Sequence, residues 1–105
     1  MDNPLQEAML STYRTDLLQA LADLRANLAR WQEEQTAHRW KLVRGWARYI
    51  GLIISEYSDF GLTTWTANLP NDQDTLVSAV IIFVSDDGGE RGDEALRDAW
   101  ERIAA

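Results

Sequence analysis

A chain of 105 residues has room for one domain with a single core, and none to spare for a deep enclosed cleft. Hydrophobic residues at 46 % and charged residues at 26 % argue against disorder, and the absence of cysteine excludes disulfides, thiol chemistry and cysteine–zinc sites. The net charge of −7 disfavours indiscriminate nucleic-acid binding by the chain as a whole.

The opening residues Met1-Asp2-Asn3-Pro4 lack the basic and apolar regions of a signal peptide. No apolar run approaches the roughly 20 residues that cross a bilayer, so a cytoplasmic chain without a membrane partner is expected. Asn3 is placed to cap a first helix, with Pro4 at its first position and Gln6 as polar partner. Leu10, Tyr13, Leu17, Ala20 and Leu24 then recur at helical spacing, with Leu21, Leu28 and Trp31 widening and closing the stripe.

Residues 32–37 are polar and break that phase. A new register, Trp40, Val43, Ala47, Ile50, Ile54 and Tyr57, predicts a second helix antiparallel to the first. Gly45, Gly51 and the β-branched isoleucines leave a rival reading, in which residues 47–57 form a strand. No glycine or proline marks the turn, so one long bent helix is a further alternative.

Asp59-Phe60-Gly61 reads as a stop. Residues 62–69, rich in Thr and Trp, read as a strand, and Pro70 to Asp74 as turn chemistry. Residues 75–85 then read as a second strand, apolar on both faces: Val77, Ala79, Ile81 and Phe83 against Leu76, Val80, Ile82 and Val84. A lone two-stranded hairpin is marginal, so this reading demands a third strand from residues 47–57, a second copy or a partner. Residues 86–92 read as a flexible acidic loop and Asp93 as the cap of a short last helix, with Leu96, Ala99, Trp100 and Ile103 inward. In that helix Arg97–Glu101 and Asp98–Arg102 are spaced to pair. The fold class expected is therefore α+β: a long first helix and a second helix on a small antiparallel hairpin or sheet, with a short C-terminal helix, in a single domain.

The chain carries no recognisable catalytic apparatus. Its one histidine, His38, sits in a polar stretch without an orienting carboxylate in sequence, and no nucleophile elbow, G-x-G-x-x-G or P-loop occurs. Asp86, Asp87, Glu90, Asp93 and Glu94 lack the ligand spacing of a calcium loop. No catalytic residue, metal ligand or cofactor is expected, and a binding protein is the natural reading.

Charge is unevenly spread. Residues 25–48 hold six basic side chains against two acidic ones, and the segments on either side are strongly acidic. The candidate contact residues for a partner or for nucleic acid are Arg39, Trp40, Lys41, Arg44, Trp46 and Arg48, because guanidinium groups and indole faces on one helix suit phosphates and stacked bases, or an acidic protein patch. The competing reading makes the cations a solvated face or internal ion pairs, and sends the indoles to the core. Five tryptophans exceed what so small a core needs, so one or two are expected on the surface. The acidic flanks can serve solubility, or imitate the phosphate spacing of a nucleic acid and occupy a basic groove.

In size, charge and missing chemistry the chain is similar to the small inhibitors encoded by phages and other mobile elements, anti-CRISPR proteins among them. That similarity implies an inhibitor that blocks a host protein or ribonucleoprotein by direct binding. The alternatives are a single-stranded nucleic-acid binder using the basic aromatic helix, and a homodimeric structural or assembly subunit.

Overall fold

The computed structural model describes residues 4–57, 69 and 71–105. Four α-helices account for almost all of them: α1 (Pro4–Glu34), α2 (Ala37–Tyr57), α3 (Asn71–Ser85) and α4 (Glu90–Ala104). No strand occurs among the described residues, so the α+β expectation is replaced by an all-helical fold of two hairpins, α1–α2 and α3–α4.

The first two helices follow the periodicity that announced them. Leu17, Ala20, Leu21, Leu24 and Leu28 of α1 are buried, and Val43, Ala47, Ile50 and Ile53 of α2 close over them. A hydrogen bond from Arg39 to Asn27 and the contact of Trp40 with Trp31 show that the helices run antiparallel. The break between them is a two-residue link, Gln35 and Thr36. Gln35 takes a left-handed φ of 53° and its N–H returns to Trp31 O. Thr36 then caps α2, its Oγ1 accepting the Arg39 N–H at 3.1 Å. Residues 47–57 are helical throughout, which disposes of the rival strand.

The segment read as the stronger strand is α3. Eleven residues that are nearly all apolar satisfy a period of 2 and a period of 3.6 equally well. The buried set settles which applies: Leu76, Val77, Ala79, Val80 and Phe83 lie on one helical face, with Ile81, Ile82 and Val84 exposed. Burial of that face overrides the modest helix propensity of the β-branched residues. Asn71 to Asp74, read as a turn, instead form the first turn of α3, where Asp72 and Asp74 meet the positive end of the helix dipole. Asp72 also receives Arg25 of α1, tying the two hairpins together. The strand expected over residues 62–69 lies outside the described residues except for Leu69, a buried bend, and so do the stop at residues 59–61, Pro70 and the Asn3 cap.

The flexible loop expected over residues 86–92 contracts to a four-residue turn closed by backbone hydrogen bonds from Asp86, Asp87 and Gly89. Gly88 adopts a φ of 83°, a conformation that favours glycine. Helix α4 begins earlier than expected, with Gly89 at its N-cap position, so Asp93 is not the cap. The Asp86 carboxylate instead accepts the Gly92 N–H at 3.0 Å. Gly92 itself packs so closely on α3 that a Cβ there would lie 2.9 Å from Phe83 Cα. Leu96 and Ala99 are buried and Trp100 and Ile103 pack against the core, as the spacing predicted.

Candidate functional site: two flanks of α2 and the outer face of α4

The predicted contact residues all lie on α2, but the fold divides them. Arg39 turns back to Glu34, with Nε 3.0 Å from the carboxylate, and to Asn27 Oδ1 at 2.9 Å. This hydrogen bond holds the Glu34 carboxyl below its ordinary value of 4.5. The Trp40 ring lies tilted by 56° against Trp31 with centroids 4.9 Å apart, and donates its Nε1–H to Asp93 at 3.2 Å. Arg44 donates to the Gly88 carbonyl at 2.8 Å and pairs with the same Asp93 at 3.5 Å. Three of the six candidates are therefore engaged inside the protein, on the flank of α2 that meets the α3–α4 turn.

The other three remain accessible. Lys41 and Arg48 are exposed and form no ion pair with any described residue, and Trp46 is half-buried, edge-on to Tyr49 at 5.8 Å. The four described tryptophans are half-buried, and Trp65 lies outside the described residues. His38 is exposed.

On its free flank α2 borders an open groove of about 690 Å³ against α1. Ala20 and Gly45 line it with almost no side chain, and Leu42, Trp46 and Tyr49 give it an apolar wall. Asp16 and Asp23 stand on the α1 side and Lys41 on the α2 side. The exposed ridge continues to Leu52, 67 % accessible and the most exposed large apolar side chain described. Sequence periodicity marked the buried stripe of α2 and passed over this second one, although Leu42, Tyr49 and Leu52 recur seven and three residues apart.

The third feature is on α4. Arg97, expected to pair with Glu101, instead lies over the Trp40 and Trp31 rings at 4.9 and 5.7 Å. Asp98 and Arg102 form no salt bridge with any described residue either. Glu90, Glu94, Asp98 and Glu101, spaced four, four and three apart, are left as a row of exposed carboxylates on one helical face. Neighbours in that row rise about 4.5–6 Å along the axis. Arg91 and Arg102 flank the row without pairing to it.

The acidic residues weighed for calcium do not converge, because Asp86 binds Gly92 and Asp93 binds Trp40 and Arg44. No described helix is long and apolar enough to cross a membrane. No family model, curated protein or solved structure matches the chain.

Proposed function

We propose that this protein is a non-enzymatic acidic inhibitor that binds a host protein or ribonucleoprotein directly and presents carboxylates where the target receives phosphates. The observation that carries this reading is the unpaired row Glu90, Glu94, Asp98 and Glu101 on α4, freed because Arg97 is drawn onto two indole rings. Arg39 and Arg44 are each paired with a carboxylate, Glu34 and Asp93, so neither is offered to a partner's phosphates, and the chain keeps its net charge of −7. A net negative chain raises encounter rates with an oppositely charged groove and makes binding fall with salt. The likeness in size and charge to phage-encoded inhibitors supports the same conclusion. The single-stranded nucleic-acid alternative keeps only Lys41, Arg48 and Trp46 of its six contact residues.

The test is a pull-down from bacterial lysates at two salt concentrations, with the chain and an Glu94→Lys, Asp98→Lys, Glu101→Lys variant side by side. The proposal expects a stoichiometric partner that the variant loses, that high salt releases, and that an oligonucleotide displaces from the wild-type chain. A partner retained equally by the variant sinks the phosphate-imitating reading. Quenching of the protein's own indole fluorescence by an oligonucleotide at low salt would favour the nucleic-acid binder instead.

A further inference from the structure

We propose that a second copy of this chain fills the groove between α1 and α2, so that the protein is a two-fold dimer built on parallel α2 helices. The proposal stands on a different face from the α4 row, and the two can fail separately.

The groove asks for a particular occupant. Its wall of Leu42, Trp46 and Tyr49 requires an apolar ridge, and an elongated channel between two helices suits a third helix. Its α1 edge carries Asp16 and Asp23, which have no cationic partner among the described residues. They are seven residues apart, about 10.5 Å along the helix. An occupant therefore needs an exposed apolar ridge with two cations seven residues apart along one edge.

The chain's own α2 has that pattern. Leu42, Tyr49 and Leu52 are its exposed ridge, at 37, 46 and 67 % accessibility, and beside them run Lys41 and Arg48, seven residues apart and in no ion pair with a described residue. The register agrees as well as the spacing. Because α1 and α2 are antiparallel and Asn27 meets Arg39, Asp23 lies near the level of Lys41 and Asp16 near the level of Arg48. A two-fold axis parallel to the helices leaves every level unchanged. It carries the cationic edge of one α2 across to the α1 side of the other copy's groove. Lys41 of the partner subunit then faces Asp23, and Arg48 of the partner subunit faces Asp16, each contact occurring twice by symmetry.

Gly45 lies on this free flank, near the midpoint of the ridge. A Cβ built there meets nothing within 4 Å, so the fold of one chain gives no steric reason for glycine in a helix interior, where alanine is preferred. Apposed glycines let two helix backbones approach to the near end of the usual 8–10 Å range.

Sedimentation velocity and equilibrium read the outcome directly. The wild-type chain is expected at twice its monomer mass at micromolar concentration. Two charge reversals, Asp16→Lys with Asp23→Lys and Lys41→Asp with Arg48→Asp, should each weaken the dimer by about tenfold or more, since every reversed pair turns attraction into repulsion. Mixed together, the two variants should recover a heterodimer, a result that misfolding of either could not produce. A wild-type monomer throughout the micromolar range overturns the proposal. So does a dimer indifferent to both reversals.

Discussion

The two hairpins reverse the chain by different means. Between α1 and α2 the turn contains no glycine: Gln35 bears the left-handed φ, Thr36 supplies the cap, and Glu34 and Arg39 bridge the gap. Between α3 and α4 the turn rests on Asp87 and Gly88, at φ of 49° and 83°, and the helices close at Gly92 against Phe83 with Asp86 holding the Gly92 N–H. The first hairpin zips along a ladder of leucines, so its stability is spread over many contacts. The second also spreads its closure over buried Leu76, Val77, Ala79, Val80, Leu96 and Ala99, and adds one backbone-close approach, Gly92 against Phe83. What separates the hairpins is therefore that single close approach, which the first lacks at its exposed Gly45.

The largest expected effect lies at that close approach. Phe83→Ala should cost about 3–5 kcal/mol in chemical denaturation, the range for deleting a buried aromatic ring. A cost below that of Leu24→Ala would show that the Phe83 ring is not the larger packing contribution. Next, Gly92→Ala should destabilise by about 1–3 kcal/mol, because its Cβ meets the α3 backbone and not a side chain that can swing away. The matching change in the first hairpin, Gly45→Ala, should have the opposite sign in the isolated monomer and stabilise it by about 0.5–1 kcal/mol. If the two substitutions agree in sign, the close approach at Gly92 is not what fixes the glycine. The caps come in at a comparable size: Asp86→Ala and Thr36→Ala should each cost about 1 kcal/mol, read as a shift in denaturation midpoint.

Acid gives the smallest effect. The Glu34 carboxyl is held below its ordinary value by its hydrogen bond from Arg39, so the contribution of the pair is present at neutral pH. It should fade as pH falls below 4.5 and through the lowered value. In Glu34→Gln this component of the stability–pH curve should vanish, and an unchanged curve would show that the bridge does not hold the first turn.

These contrasts also explain what the sequence disclosed. Helices α1, α2 and α4 were legible because polar residues interrupt their apolar stripes, which leaves only the helical period. Helix α3 was not, because Val80, Ile81, Ile82 and Val84 fill both faces and erase the period, and β-branched residues favour a strand on propensity alone. Asp72 and Asp74 could have marked its start as acidic first-turn residues, yet beside Pro70 and Asn71 they also fit a turn. On α2 the cations were legible and their disposition was not. Arg44 is engaged by Gly88 and Asp93, and Trp40 by Asp93, 53 residues away, and such partners cannot be read from local spacing. The α4 row was within reach, since its residues recur on one face, but local pairing rules assigned Arg97 to Glu101 and hid it.

The Trp31–Trp40 pair has a use of its own. Two indoles 4.9 Å apart and inclined at 56° couple their electronic transitions, and Asp93 and Arg97 of α4 fasten that pair from the second hairpin. Circular dichroism in the strong far-ultraviolet indole band should therefore carry an exciton couplet that weakens when Asp93 or Arg97 lets go of the pair, an intrinsic gauge of how α4 holds the first hairpin that needs no added dye.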